Sequence, residues 1–204
     1  MQYDGLIFDL DGTLWTSAEN VHNALVKMKE LHPEIRLLPL EVTQTTMGYS
    51  EKQTQEFYFN EFEPEKAHAL CVEFLAKITE DIVEEGAKLY SNTYSTLKKL
   101  KENNRLFIVS NCGHGFVEAF MKQSHTEGFF EDYEYCSRTG LLKGENIKLV
   151  VERNNLKNAC YIGDTIIDKE AAELAGTHFI YCTYGYGKID NDKKITDISE
   201  LLDL

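Results

Sequence analysis

Five short runs dense in apolar, β-branched and aromatic residues punctuate the 204-residue chain. They are Gly5-Leu6-Ile7-Phe8, Arg105-Leu106-Phe107-Ile108-Val109, Tyr133-Glu134-Tyr135-Cys136, Ala159-Cys160-Tyr161-Ile162 and His178-Phe179-Ile180-Tyr181-Cys182. Runs of this kind predict strands buried on both faces, as in a parallel sheet. Between several of them the period changes to that of a helix, in Tyr94–Leu100, Phe116–Met121, Ile147–Glu152 and Lys169–Leu174. Alternation of strand and helix predicts right-handed βαβ crossovers, with helices on both sides of the sheet. The stretch from Trp15 to about Val83 breaks the pattern. It shows no strand and reads as helices over Ala18–Leu31, Glu51–Phe59 and Glu65–Glu84, the last with Pro64 at a favourable starting position. The expected fold is α/β, with a helical segment inserted directly after the first strand.

Composition narrows the function. A 43% hydrophobic content with only 3 Pro is globular, and the length fits one domain carrying an insertion. The formal net charge of −13 and a pI near 4.9 argue against a broad basic surface for nucleic acid or anionic lipid. Any anionic ligand therefore has to be held by local chemistry. The five cysteines are irregularly spaced with no Cys-x-x-Cys, which predicts free thiols in a reducing compartment. Met1–Gly5 carries no basic region leading into an apolar stretch, and no apolar run approaches the roughly 20 residues that span a bilayer. The expectation is a cytoplasmic protein with no membrane partner. Neither a P-loop nor a Gly-x-Gly-x-x-Gly motif occurs.

In open α/β sheets ligands bind beyond the carboxyl ends of the strands, and here those ends are polar. The first run ends in Asp9-Leu10-Asp11-Gly12-Thr13, the second in Ser110-Asn111, and the fourth in Gly163-Asp164, with Asp168 shortly beyond. Asp9 and Asp11 are two apart, so in extended backbone their side chains point the same way. Asp164 comes from another strand. Three carboxylates converging at one edge repel one another unless a hard cation such as Mg²⁺ lies between them.

This set of motifs resembles the haloacid dehalogenase superfamily: Asp9-Leu10-Asp11-Gly12-Thr13, Ser110, Lys143 and Gly163-Asp164-Thr165-Ile166-Ile167-Asp168 occur in the order of its signature, over the whole chain. The resemblance implies a Rossmann-like parallel-sheet core of residues 1–14 and 84–204, with an all-helical cap of the C1 type at 15–83. It further implies a phosphatase in which Asp9 is the nucleophile, forming an aspartyl-phosphate, and Asp11 is the general acid and base. Dehalogenases of the superfamily lack an acid at the Asp11 position, so carbon–halogen cleavage is disfavoured. Mg²⁺ would be bound by Asp9, the backbone carbonyl of Asp11 and Asp164, with Asp168 in an outer or supporting place. Ser110 and the amide of Asn111 would hold phosphoryl oxygens, and Lys143 would supply positive charge.

Lys143 sits in the Gly-flanked stretch Lys143-Gly144-Glu145-Asn146, whereas many relatives have Lys-Pro; its rival is Lys148, inside a helical pattern. Trp15, Met47 and Tyr49 are candidates for contacting substrate. Cys112 and His114 read as loop residues, and Tyr184-Gly185-Tyr186-Gly187 as a turn with aromatic packing. The expected substrate is a small phosphorylated metabolite entering a closed pocket. Two alternatives are a phosphomutase acting on a sugar phosphate, which shares every motif, and a phosphorylation-switched signalling or binding module, which would lack the Asp-x-Asp-Gly-Thr turn.

Overall fold

The strand that leads into the first acidic motif, Gly5–Phe8 (β1), is buried at all four residues. In the computed structural model, which describes residues 3–203, the chain continues through β2 (Trp15–Thr16), α1 (Ala18–Leu31), α2 (Leu40–Gln44), α3 (Glu51–Tyr58), α4 (Pro64–Glu85), β3 (Lys88–Leu89) and α5 (Thr93–Leu100). There follow β4 (Leu106–Ser110), α6 (Phe116–Gln123), β5 (Asp132–Tyr135), α7 (Cys136–Thr139), α8 (Lys143–Arg153), β6 (Ala159–Gly163), α9 (Ile166–Ala175), β7 (His178–Cys182), β8 (Lys194–Ile195) and a 3₁₀ helix over Ile198–Asp203.

Six strands form one parallel sheet in the order β5-β4-β1-β6-β7-β8. This is the Rossmann-like α/β architecture expected from the alternating pattern. β1 lies between β4 and β6, with Phe8 level with both Ile108 and Ile162. That register brings Asp9, Ser110 and Asp164 to the same sheet edge.

The period-two alternation sorts the apolar runs between two faces. Leu6, Phe8, Ile108 and Ile162 belong to one buried cluster, which extends without a break into Leu25 and Met28 of α1 and Phe74 of α4. Ile7, Phe107, Val109 and Tyr161 belong to the other, covered by Ile147 and Val150 of α8 and Ala171 and Ala172 of α9. Helices start where the sequence carries the chemistry for it. Ser50 and Gln53 form a capping box on α3, Pro64 opens α4, and Thr165 and Asp168 form a capping box on α9. Asp81, buried on α4, ties that helix to α1 by accepting from Lys27 at 2.6 Å and Asn20 at 3.0 Å.

The 15–83 stretch departs from expectation at both ends. Trp15–Thr16 is a strand, antiparallel to Lys88–Leu89, and α4 runs on to Glu85. The two chain crossings between the sheet and helices α1–α4 are thus stitched together. β8 and the terminal 3₁₀ helix were likewise not anticipated. Among the described residues all five cysteines are free, and no helix is long and apolar enough to cross a membrane.

Candidate active site

β1 ends at the sheet edge and delivers Asp9, only 2% exposed, into a cluster of charges. The chain then turns on Gly12 in the left-handed region at φ 86°. The turn carries Asp11 to Ser17, whose amide and hydroxyl both donate to Asp11 Oδ1, at 3.1 and 2.5 Å. β4 contributes Ser110, Asp164 follows directly on β6, and the first turn of α9 contributes Asp168. Lys143 enters as the first residue of α8, not from a loop as its glycine neighbour suggested.

Lys143 Nζ donates to Asp9 Oδ1 at 3.1 Å and to Asp168 Oδ1 at 2.7 Å, with all three side chains buried. Lys148 points away: its side chain is 63% exposed and lies near Glu152. Asp168 Oδ2 accepts from the amides of Asp164 and Thr165 and from the Thr165 hydroxyl, at 3.1, 2.9 and 2.7 Å. Both oxygens of Asp168 are therefore engaged by the protein. Asp164 differs. Its Oδ2 accepts from the Tyr186 amide at 2.7 Å, while its buried Oδ1 has no hydrogen-bond partner. One oxygen each from Asp9, Asp164 and Asp168 lie within 4.8 Å of one another. The Asp11 carboxylate is not part of this triad.

Burial pushes the Asp9 carboxyl up to about 7, although Lys143 and a hydrogen bond from Ser110 pull it back. Burial likewise raises Asp11 to about 6 against the bonds from Ser17, and raises Asp164 well above the usual carboxylate range. For Lys143 burial acts downward, but Asp168 and Asp9 reverse it and hold the ammonium charged. A buried carboxylate oxygen with no donor, beside two further carboxylates and one ammonium, is a donor set suited to a hard divalent cation.

The other sequence candidates sort by position. The amide of the Asn111 side chain donates to Gly48 O at 3.0 Å, joining the edge of the sheet to the α2–α3 loop. Met47 and Tyr49 of that loop line a cleft shared with Asp11 and Asn111. Trp15 is wholly buried, packed edge-on against Phe120 at 5.3 Å, and is a core residue. Cys112 is buried, which pushes its thiol well up, and His114 is exposed beside Tyr135. Sequence reasoning missed three site residues. Thr165 was legible in the Thr-x-x-Asp capping pattern. Ser17 carries no such signal. Tyr186 belongs to the Tyr184–Gly187 turn, which wraps Asp164 so closely that a Cβ on Gly185 would lie 2.3 Å from the Asp164 carboxylate. Gly185→Ala is expected to lower kcat/KM about 100-fold, because displacing the Asp164 carboxylate by about 1 Å misplaces the groups set around it; steady-state kinetics beside a melting curve checks this.

Residues 6–182 match the model of the haloacid dehalogenase-like hydrolase family. The chain is 26% identical over 218 residues to a phosphoglycolate phosphatase of Aquifex aeolicus, covering 97% of this chain and 96% of that one. Among solved structures, a haloacid dehalogenase-like hydrolase from Streptococcus pneumoniae superposes with a TM-score of 0.87 at 19% identity, covering 99% of this chain and 98% of that one. A predicted phosphatase from Clostridium acetobutylicum superposes with 0.83 at 24% identity, covering all of both chains. With the family match spanning most of its length and the fold shared end to end, the chain belongs to the haloacid dehalogenase-like hydrolases.

Proposed function

We propose that this hydrolase is a Mg²⁺-dependent phosphatase of small phosphate monoesters, working through an aspartyl-phosphate on Asp9. The observation that carries the reading is the pairing of Asp9 with Lys143 beside the partnerless oxygen of Asp164, with Asp11 held two residues away by Ser17. Asp9 and Asp164 would hold the cation, since Asp168 is already engaged by Lys143 and the capping donors. When bound, Mg²⁺ supplies positive charge between the nucleophile and the phosphate.

Asp9 attacks phosphorus with the oxygen that Lys143 does not engage, forming an acyl-phosphate bond as the ester P–O bond breaks. Asp11, whose burial keeps it protonated to about pH 6, gives its proton to the departing alkoxide. Asp11 then takes a proton from water, whose oxygen attacks phosphorus and frees Asp9 and inorganic phosphate. Ser110 and the Asn111 amide hold phosphoryl oxygens, and Lys143 offsets their charge. Asp168 acts as a positioning residue for Lys143. Helices α1–α4 act as a cap over the site, with the Asn111–Gly48 bond as one closing contact.

The test is phosphate release from a panel of small phosphate esters, with Mg²⁺ and with chelator. Turnover of no member, or turnover unaffected by chelator, refutes the reading. A thermal-shift prediction accompanies it. Asp9 and Asp164 hold their protons more tightly in the fold than in the unfolded chain, so the stability this adds is present below about pH 4 and, for Asp9, is lost as pH rises through about 7. Metal binding requires the deprotonated carboxylates. Mg²⁺ is therefore expected to raise the melting temperature by several degrees at pH 8 and by much less at pH 5.5, as differential scanning fluorimetry reads it.

A further inference from the structure

We infer that the group esterified to phosphate in the substrate is an uncharged alcohol bearing a second hydroxyl, and that carboxylate-bearing esters are rejected; this rests on the phosphatase reading of the Asp9 site. The ground is the small cleft between the sheet edge and helices α1–α4, of about 70 Å³. Asp11 lines it, so a leaving oxygen protonated by Asp11 carries its substituent into this space. One part of the lining is aliphatic and aromatic, from Val21, Phe74, Leu75, Ile78 and Phe116. Among the described residues that line the cleft there is no Lys, Arg or His, and the single charged side chain is Asp11 itself.

The polar remainder is made of neutral groups whose free valences can be counted. The Thr46 hydroxyl donates to Thr43 O at 2.7 Å and lies 2.8 Å from the Tyr58 hydroxyl, so the pair has its hydrogens committed, and the Thr43 side chain also meets the Tyr58 oxygen. Thr54 is 7% exposed, and among the described residues its hydroxyl has no hydrogen-bond partner. A substrate hydroxyl can bond the Thr54 hydroxyl, as acceptor or as donor. A carboxylate accepts only. It would meet neutral donors and lie in a buried space beside Asp11, with no cation to offset its desolvation. Lys143 is engaged by Asp9 and Asp168, and Lys52 lines the adjoining wider cleft with its side chain 85% exposed near Glu56.

Three esters of one shape test this: 2-hydroxyethyl phosphate, ethyl phosphate and phosphoglycolate, with p-nitrophenyl phosphate as a monitor of the chemistry. For the wild-type enzyme with Mg²⁺, kcat/KM for the hydroxyethyl ester is expected to exceed that for phosphoglycolate at least about tenfold. It is expected to exceed that for ethyl phosphate about five- to tenfold, the worth of one neutral hydrogen bond. Thr54→Val is expected to shrink the hydroxyethyl-to-ethyl ratio toward one. Phosphoglycolate turned over as well as the hydroxyethyl ester, beside active hydrolysis of p-nitrophenyl phosphate, overturns the inference and leaves the phosphatase reading standing. Release from none of the four overturns the phosphatase reading and the inference with it. An unchanged hydroxyethyl-to-ethyl ratio in a folded Thr54→Val enzyme overturns the assigned contact; should that variant not fold, the wild-type ratios decide.

Discussion

Asp9→Asn is expected to cut phosphate release by about 10⁴-fold or more at saturating ester and Mg²⁺, while the protein keeps its fold. Losses of this size follow removal of a nucleophile whose partners remain in place. Asparagine has the same shape, and its carbonyl oxygen can still accept from Lys143, now 3.1 Å from Asp9 Oδ1. On the proposed mechanism, what disappears is the charge that attacks phosphorus and one ligand for the cation. The substitution also removes a negative charge from a site where burial already raises Asp9 to about 7, so the metal-free variant should melt no lower than the wild type at pH 8. The diagnostic result is a dead enzyme with an undiminished melting temperature. Turnover within tenfold of wild type would refute Asp9 as the nucleophile.

Lys143→Ala is expected to be nearly as damaging to activity and far more so to stability. The ammonium lies between Asp9 and Asp168, with a side chain 3% exposed, and removing it strands two buried carboxylates. Breaking a buried pair from one side costs about 3 kcal/mol or more. In a chain of this size that is a fall of about 6–12 °C in melting temperature. Phosphate release is expected to drop about 100- to 1,000-fold with the loss of a charge-stabilising donor. Lys148→Ala, on an exposed face of the same helix, is expected to melt within about 1–2 °C of wild type and to keep full activity. The two variants assayed side by side separate the two lysines. Equal behaviour would refute the role given to Lys143.

The central strands β1, β4 and β6 were legible because they are uninterrupted apolar runs and the polar motifs end or follow them directly: Phe8 is buried and Asp9 comes next. α1 matched its expected limits, Ala18–Leu31, since fourteen residues are enough to establish a helical period. Two-residue strands are not. Trp15–Thr16 pairs with Lys88–Leu89 across more than seventy residues of sequence, and neither segment has room to show an alternation. Lys143 was expected in a loop because Gly144 follows it. The glycine answers instead to packing, as a Cβ there would come within 2.5 Å of the Leu174 side chain on α9. Local propensity lost to a contact thirty residues away. The Tyr184–Gly187 turn was read as aromatic packing for a similar reason: its contribution to the site is a backbone amide, which no side-chain identity announces.

That amide gives the site an order of assembly. Asp9 is made near the start of the chain, and the Tyr186 donor that fastens Asp164 is made near its end. At roughly 5–20 residues per second on the ribosome, the first aspartate waits on the order of ten to thirty seconds for the last piece of its surroundings. Until β7 has joined β6 and the following turn has closed, the nascent chain holds a set of mutually repelling carboxylates at an unfinished sheet edge. The acidic centre thus depends on contacts between residues far apart in sequence, Asp9 with Lys143 and Asp164 with Tyr186, and it is not complete before the Tyr184–Gly187 turn has been made.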